Sequence, residues 1–389
     1  MMQTRSLAYS LFWLLLAGLL AVSPLARAEN MIPRAPEVEA RSYLLLDAKS
    51  GQVLVEHNAD KELPPASLTK MMTAYLVEKE IQAGNIGERD MVPISVKAWR
   101  MGGSRMFVKE GTQVPVADLL KGVIVQSGND ASVALAEYVA GSEGAFADLM
   151  NNQASQLGMN NSHFVNATGW PAENHYTTAR DLAWLARAII RDYPEHYDIY
   201  AQKEFTYNGI TQQNRNLLLW RDDAVDGLKT GHTEEAGFCL VSSAEQNGMR
   251  LISVVMGTDS EAARARESQK LLSYGFRFYE TYEGYGAGDV LDTPKVWMGA
   301  ADQVRLGLED DLVLTVPKGS HDQLKAEMSI QPELRAPIEE GRQYGTLTVS
   351  LDGKELVQRP LVALEAVEEA GFFSRIWDHI VLFFKGLFN

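Results

Sequence analysis

The apolar positions change period several times along the chain, and each change marks an element. Leu7 to Val22 is an almost unbroken apolar run, preceded by Arg5 and followed by Ala26-Arg27-Ala28. A positive start, a short apolar stretch and an A-x-A site predict that residues 1–28 are a cleaved export signal, outside the mature fold. Ser42 to Leu46 and Gln52 to Glu56 are strand-like and flank the turn-like Asp47-Ala48-Lys49-Ser50-Gly51, which predicts a hairpin. From Ser67 to Gln82, Leu68, Met71, Met72, Tyr75 and Leu76 recur at i, i+3, i+4, i+7 and i+8. That spacing predicts a helix buried on one face, led in by Pro64-Pro65 and closed by Gly84. Residues 116–126 and 130–140 predict two more helices, broken at Gln126-Ser127-Gly128-Asn129. Thr178, with Asp181 three residues on, predicts a capped helix whose inner stripe is Leu182, Leu185, Ala186, Ile189 and Ile190. Residues 236–258 predict two strands turning at Asn247-Gly248, a dipeptide suited to a type I′ turn. A helix from about Ser260 to Tyr274 follows.

This order of strands, helical middle, strands and closing helix predicts an α/β domain over residues 29–283, with an antiparallel sheet and helices packed against it. Glycines 284, 286 and 288 predict a linker. Short β-like runs such as Leu312 to Val316 and Tyr344 to Val349, separated by turns such as Asp352-Gly353, predict a small all-β domain over 284–364. Residues 365–389 end in an amphipathic helix: Phe373, Ile376, Trp377, Ile380, Phe384 and Phe388 share one stripe. It is shorter than a bilayer span and rich in Phe and Trp, the pattern of an in-plane membrane anchor.

Composition narrows the function. Apolar residues make up 46% of the chain, enough for a sizeable core, and its length fits two domains. Loss of residues 1–28 removes Arg5 and Arg27 and no acid, moving the formal charge from −15 to −17. So acidic a chain is not built for nucleic acid. The single cysteine, Cys239, cannot form an internal disulfide and sits in an alternating run as a small buried hydrophobe. The seven histidines are scattered, with no His-Glu-x-x-His run, so no metal site and no cofactor is expected.

Three short motifs carry the chemistry. Ser67-Leu68-Thr69-Lys70 places a hydroxyl and an amine three residues apart on one helical face. Serine becomes a nucleophile when a base takes its proton, and lysine is that base once burial or a nearby cation lowers its pKa. Ser127-Gly128-Asn129 lies between two helices, where Ser127 can pass a proton and Asn129 can hydrogen-bond a substrate amide. Lys229-Thr230-Gly231 sits before the strand pair, where Lys and Thr suit an anionic extended peptide and Gly231 leaves room for its backbone. Singly, each triplet is common on protein surfaces. Together, in this order, they are the known signature of penicillin-binding proteins and class A β-lactamases.

With these motifs the chain resembles the low-molecular-mass penicillin-binding proteins of the D-alanyl-D-alanine carboxypeptidase type. Gln126 to Asp130, His163 to Asn166, His175 to Asp181 and Val225 to Thr233 also carry the resemblance. It implies a penicillin-recognising domain, an antiparallel sheet with helices on both sides. It implies that Ser67 is the acylated nucleophile and Lys70 its base, with Ser127 and Lys229 as proton relay and electrostatic partner. Asn129 would orient the substrate, and Thr230 and Arg215 would hold its terminal carboxylate. Backbone N–H groups of Ser67 and His232 would form the oxyanion hole. Gly102-Gly103-Ser104-Arg105 resembles a loop near the cleft. The partners implied are peptidoglycan stem peptides ending in D-Ala-D-Ala, β-lactams as covalent inhibitors, and a membrane surface through the C-terminal helix. The expected location is the periplasmic face of the bacterial inner membrane. A DD-endopeptidase of the same family is one alternative. A serine β-lactamase is another, although the Glu-x-x-Leu-Asn run of class A is absent: Asn174-His175-Tyr176 follow Glu173. A non-catalytic envelope-binding protein would be expected to lack Ser67 or Lys70.

Overall fold

In the computed structural model the first two strands pair with each other, and the first also pairs with a strand two hundred residues away. The structure describes residues 32–388, so the export signal read in residues 1–28 lies outside the described residues. Ala35 to Asn389 forms one compact unit. β1 (Ser42–Asp47) and β2 (Val53–His57) form the expected hairpin. β3 (Val225–Thr233), β4 (Gly237–Gln246) and β5 (Met249–Thr258) complete an antiparallel sheet in the order β2-β1-β5-β4-β3. Strand β3 is therefore an edge, with β4 on one side only. Lys229-Thr230-Gly231 lies within this edge strand, not before the strand pair.

Alternation along β1 sets the two faces. Leu44 and Leu46 join the large core with α1 (Lys70–Gln82), α2 (Val116–Ile124), α3 (Asn129–Ala140), α4 (Glu143–Gln156) and α5 (Ala179–Asp192). Leu45 points the other way, against α6 (Glu261–Phe278). There Gly275 lies so close to Leu45 and Leu251 that a Cβ would overlap Leu251 Cδ1. The sheet is thus covered on both sides, as the resemblance implied. The caps follow the sequence: the side-chain oxygens of Thr178 and Ser260 accept from Asp181 N and Ala263 N.

Residues 279–283, expected to close the first domain, instead belong with the second. β6 (Tyr279–Glu283) leaves α6 directly and pairs with β9 (Val313–Pro317). The glycines that follow are tied down: Gly284 N donates to Leu312 O and Gly288 N to Leu308 O. The second sheet runs β7 (Val290–Asp292), β8 (Leu306–Gly307), β12 (Lys354–Ala363), β11 (Gln343–Leu351), β10 (Leu324–Ile330). Asp47 joins the two domains. Its Oδ2 accepts from Thr281 Oγ1 and Thr315 Oγ1, both at 2.7 Å. The chain ends in α7 (Phe372–Phe388).

One buried group in α1 does not fit its surroundings. Glu78 is fully buried, and neither carboxylate oxygen has a hydrogen-bond partner among the described residues. Burial, helped by the charge of Glu195, pushes its carboxyl well above the usual range, so it folds protonated. The unfolded chain ionises this residue in the ordinary carboxylate range. Stability is therefore greatest below that range and falls as pH rises toward the folded pKa. Glu78→Leu is expected to stabilise by about 1–3 kcal/mol at pH 7, with the gain shrinking strongly at about pH 4. Thermal melts of both proteins at the two pH values check this; an equal gain at both would show that ionisation is not its cause.

Candidate active site

The first motif sits at a distorted helix entry. Ser67 lies in a 3-10 turn, Ala66–Thr69, and α1 begins only at Lys70. This differs from the continuous helix expected over 67–82. A 3-10 turn eclipses positions i and i+3, so the Ser-x-x-Lys spacing still brings the two side chains together. Lys70 Nζ lies 2.9 Å from Ser67 Oγ and donates to Thr168 O at 2.5 Å. Lys70 is only 1% exposed. Burial first, then the Arg215 cation, bring its pKa down to about 7 against the opposing charge of Asp130.

The second pair comes from elements far apart in sequence. Ser127, with φ of 60°, stands before α3, and Lys229 projects from β3. Lys229 Nζ donates to Ser127 Oγ at 2.9 Å and to Thr230 O at 3.0 Å. Burial holds Lys229 well below its ordinary pKa, assisted by the charges of Lys70, Arg215 and Arg264. Both lysines are thus buried near Arg215, and the charge of Lys70 makes Lys229 easier to deprotonate.

A cavity of about 620 Å³ opens beside these groups, lined by Ser67, Asn129, Thr168, Trp170 and His232 among others. Asn129 Nδ2 donates to Gly102 O at 2.8 Å, and Asn129 N donates to Ser104 O at 2.7 Å. Arg215 Nη1 reaches Ser104 Oγ at 2.7 Å. The Gly102–Arg105 loop therefore joins the cleft, as the resemblance implied. Arg215 in turn rests on buried Arg264, whose Nη2 donates to Arg215 O at 3.3 Å. Thr230 is buried beside Lys229, and the ring of His232 stacks on Phe238 at 3.9 Å. Gly231 has a different task from the one its sequence context implied. A Cβ there would come 3.0 Å from Pro65 O and 3.2 Å from Leu68 N, so its bareness lets β3 pack on the turn of Ser67.

Sequence reasoning gave no role to several residues that hold this site. Asp130 accepts from the backbone N of Met106, Phe107 and Val108, at 2.9, 2.9 and 3.2 Å, and so fixes the segment that follows the Gly102–Arg105 loop. Thr168 acts through a carbonyl, which no side-chain pattern reveals. Glu173, weighed as a deacylating carboxylate, lines a neighbouring cavity but not the one at Ser67.

A half-buried serine beside a buried lysine, completed by a serine and a lysine from two other elements, defines a serine acyl-transfer enzyme on a two-domain α/β plus all-β scaffold. The sequence pattern of the D-alanyl-D-alanine carboxypeptidase family matches residues 29–260, and that of the penicillin-binding protein 5 C-terminal domain matches residues 279–369. The chain is 47% identical to D-alanyl-D-alanine carboxypeptidase DacA of Escherichia coli (strain K12) over 369 residues, 93% of this chain and 92% of that protein. It is also 47% identical to DacC of the same organism over 381 residues, 96% of this chain and 95% of that protein. Penicillin-binding protein 5 from Haemophilus influenzae superposes with a TM-score of 0.84 at 43% identity, covering 87% of this chain and all of that one. Penicillin-binding protein D2 from Listeria monocytogenes, solved in an ampicillin-bound form, matches with a TM-score of 0.58 at 31% identity, over 62% of this chain and all of that one. The chain belongs to the D-alanyl-D-alanine carboxypeptidase family. It is a serine-type D-Ala-D-Ala carboxypeptidase with the penicillin-binding fold.

Proposed function

We propose that this enzyme removes the terminal D-alanine from peptidoglycan pentapeptide stems through an acyl-enzyme on Ser67. One observation carries the reading: Ser67 Oγ stands 2.9 Å from a buried Lys70 whose pKa burial brings to about 7. Neutral Lys70 takes the hydroxyl proton as Oγ attacks the carbonyl between the two D-alanines. The peptide C–N bond breaks, the leaving nitrogen receives a proton through Ser127 and Lys229, and an ester remains on Ser67. Water then hydrolyses the ester, and the proton returns to the serine. Arg215 and Thr230 hold the terminal carboxylate, Asn129 orients the peptide amide, and the N–H groups of Ser67 and His232 take the oxyanion. As an edge strand, β3 lets an extended peptide lie alongside it. A β-lactam enters the same path and leaves a longer-lived ester.

The test is product analysis on purified stems and cross-linked dimers. Free D-alanine and tetrapeptide from a pentapeptide stem are expected. Cleavage of dimers without D-alanine release would assign the endopeptidase activity instead, and faster turnover of penicillin than of peptide would assign a β-lactamase.

We infer further that the mature chain works at the periplasmic face of the inner membrane, held there by α7. Phe373 is 85% exposed and Trp377 67%, and Phe372, Ile376, Ile380, Phe383 and Phe384 are also exposed. The opposite side of the helix is tied to the β domain: Asp378 Oδ2 accepts from Met298 N at 2.6 Å, and Arg375 pairs with Glu369. Among the described residues no helix is long and apolar enough to cross a membrane, which suits a helix lying in the interface. A chain ending at residue 364 is expected to stay unbound in vesicle flotation while the full mature chain floats. Because the body is acidic, flotation on neutral lipid should equal or exceed that on anionic lipid; loss of binding on neutral lipid would sink the apolar mechanism.

A further inference from the structure

A neutral amine has two N–H groups and one lone pair, so a lysine base works only if its lone pair faces the proton it must take. Lys70 Nζ has two hydrogen-bond partners, Ser67 Oγ and Thr168 O. With one N–H held by the Thr168 carbonyl, rotation about the Cε–Nζ bond is restrained and the lone pair can settle on Ser67. The position of one backbone carbonyl therefore sets the direction of the base.

Most of the hydrogen bonds that shape the turn carrying that carbonyl go to one side chain. Asn166 Oδ1 accepts from Thr168 N at 3.1 Å, Thr168 Oγ1 at 3.0 Å, Gly169 N at 2.8 Å and Trp170 N at 3.2 Å. Its Nδ2 donates to Trp170 O at 2.9 Å. The same Nδ2 faces His175 Nδ1 at 3.3 Å. An amide nitrogen is a donor, so His175 Nδ1 accepts and its proton sits on Nε2, 2.9 Å from Thr69 Oγ1. Thr69 lies between Ser67 and Lys70. Burial holds His175 down at about 4, so the ring is neutral and the tautomer is fixed by its neighbours.

The turn that Asn166 closes is also pressed against the nucleophile. Gly169, with φ of +80°, lies where a Cβ would overlap Ala66 O, the residue before Ser67. Thr73 Oγ1 donates to Ala167 O at 2.7 Å, fixing the same segment to α1. Residues 166–169 therefore meet the Ser67–Lys70 turn at several points, and Asn166 is the side chain that gives them their shape.

We propose that Asn166 is a positioning residue for acylation, aiming Lys70 at Ser67 through the Thr168 carbonyl. The inference rests on the reading of Lys70 as the base. Asn166→Ala is expected to slow acylation by a fluorescent penicillin at least about tenfold per active site. Asn166→Asp keeps an oxygen for the four donors, which hold it ionised, and adds a negative charge to the turn whose Thr168 carbonyl meets Lys70. The other charges that act on Lys70 are Arg215, which lowers its pKa, and Asp130, which raises it, and buried Lys229 feels the charge of Lys70 in turn. Against that set, the new carboxylate raises the lysine pKa. The Asp variant should retain the turn, recover much of the rate at alkaline pH and show its acid limb moved to higher pH.

The measurement is the acylation rate constant of the labelled fraction from about pH 5 to 10, with active sites titrated and melting temperatures recorded. A purely structural role would lower the melting temperature or the active fraction and leave the rate constant and its pH profile at wild-type values. That result, or an Asp variant with an unmoved acid limb, would overturn the proposal. Labelling that persisted in Ser67→Ala would instead undo the assignment of the nucleophile, so the two failures are distinguishable.

Discussion

Ser67→Ala is expected to abolish covalent labelling by penicillin and release of D-alanine together, while leaving a folded protein that still binds the stem peptide. The substitution removes one oxygen. That oxygen is half-exposed at the cavity wall, and its hydrogen bond to Lys70 is worth about 1 kcal/mol in net stability. The groups proposed to hold the substrate carboxylate, Arg215 and Thr230, are untouched, so affinity for the peptide should survive. The chemistry cannot. Without Oγ there is no atom to carry the ester, and the buried lysine has no proton to take. Intact-mass measurement after brief exposure to a penicillin checks the first outcome, and calorimetric titration with a pentapeptide checks the second. An adduct on the alanine variant would place the nucleophile elsewhere and remove the foundation of the mechanism. Loss of peptide binding with normal folding would show instead that Ser67 contributes to recognition.

How far the sequence carried this site depends on whether each part is local. Ser67 and Lys70 were legible because one turn of helix joins them. The helix over residues 143–156 was not assigned, although Ser142 caps it by accepting from Ala145 N. Its apolar positions are few and its stripe is thin, so the cap was the available signal. The pairing of β1 with β5 joins residues 42–47 to 251–256, and no periodicity reports a partner that far away. The same limit hid Asp130, whose three backbone partners lie 22–24 residues upstream. Thr168 was invisible for another reason, since its contribution is a carbonyl that any residue possesses. The domain boundary was drawn at the glycines after residue 283 because glycine marks freedom of the backbone, and here Gly284 and Gly288 are held by hydrogen bonds to Leu312 and Leu308. Gly231 was noticed for the right reason, lack of a side chain, but the neighbour requiring it is the turn of Ser67. Three motifs placed on separate elements were enough to name the chemistry. The atoms that aim it had to be read from their contacts.

The sharpest test of those contacts is the protonation of Lys70. Lys70→Arg retains a cation but cannot supply a base, because guanidinium stays protonated at every working pH. If Lys70 takes the Ser67 proton, acylation should fall by about 10²–10⁴-fold, the usual range for loss of a positioned base. Lys70→Met removes the base without the larger head group and should fall as far, which separates lost chemistry from crowding. In the wild type, acylation should rise with pH through about 7, since the free enzyme must hold Lys70 neutral and burial has brought its pKa to about 7. Arg215 lowers that pKa by charge, so Arg215→Gln should move the acid limb to higher pH. The height of the profile should also drop, because the substrate carboxylate loses a partner. The position of the limb, not its height, is therefore the observable that speaks to Lys70. A rate flat from about pH 5 to 9, or a limb that stays in place without Arg215, would mean that another group takes the proton. Lys229 is the natural second choice, since it is buried, cation-surrounded and bonded to the other serine of the cleft. Lys229→Arg distinguishes the two. It keeps a cation beside Ser127, so it should lower the rate less than Lys70→Arg and leave the acid limb governed by Lys70.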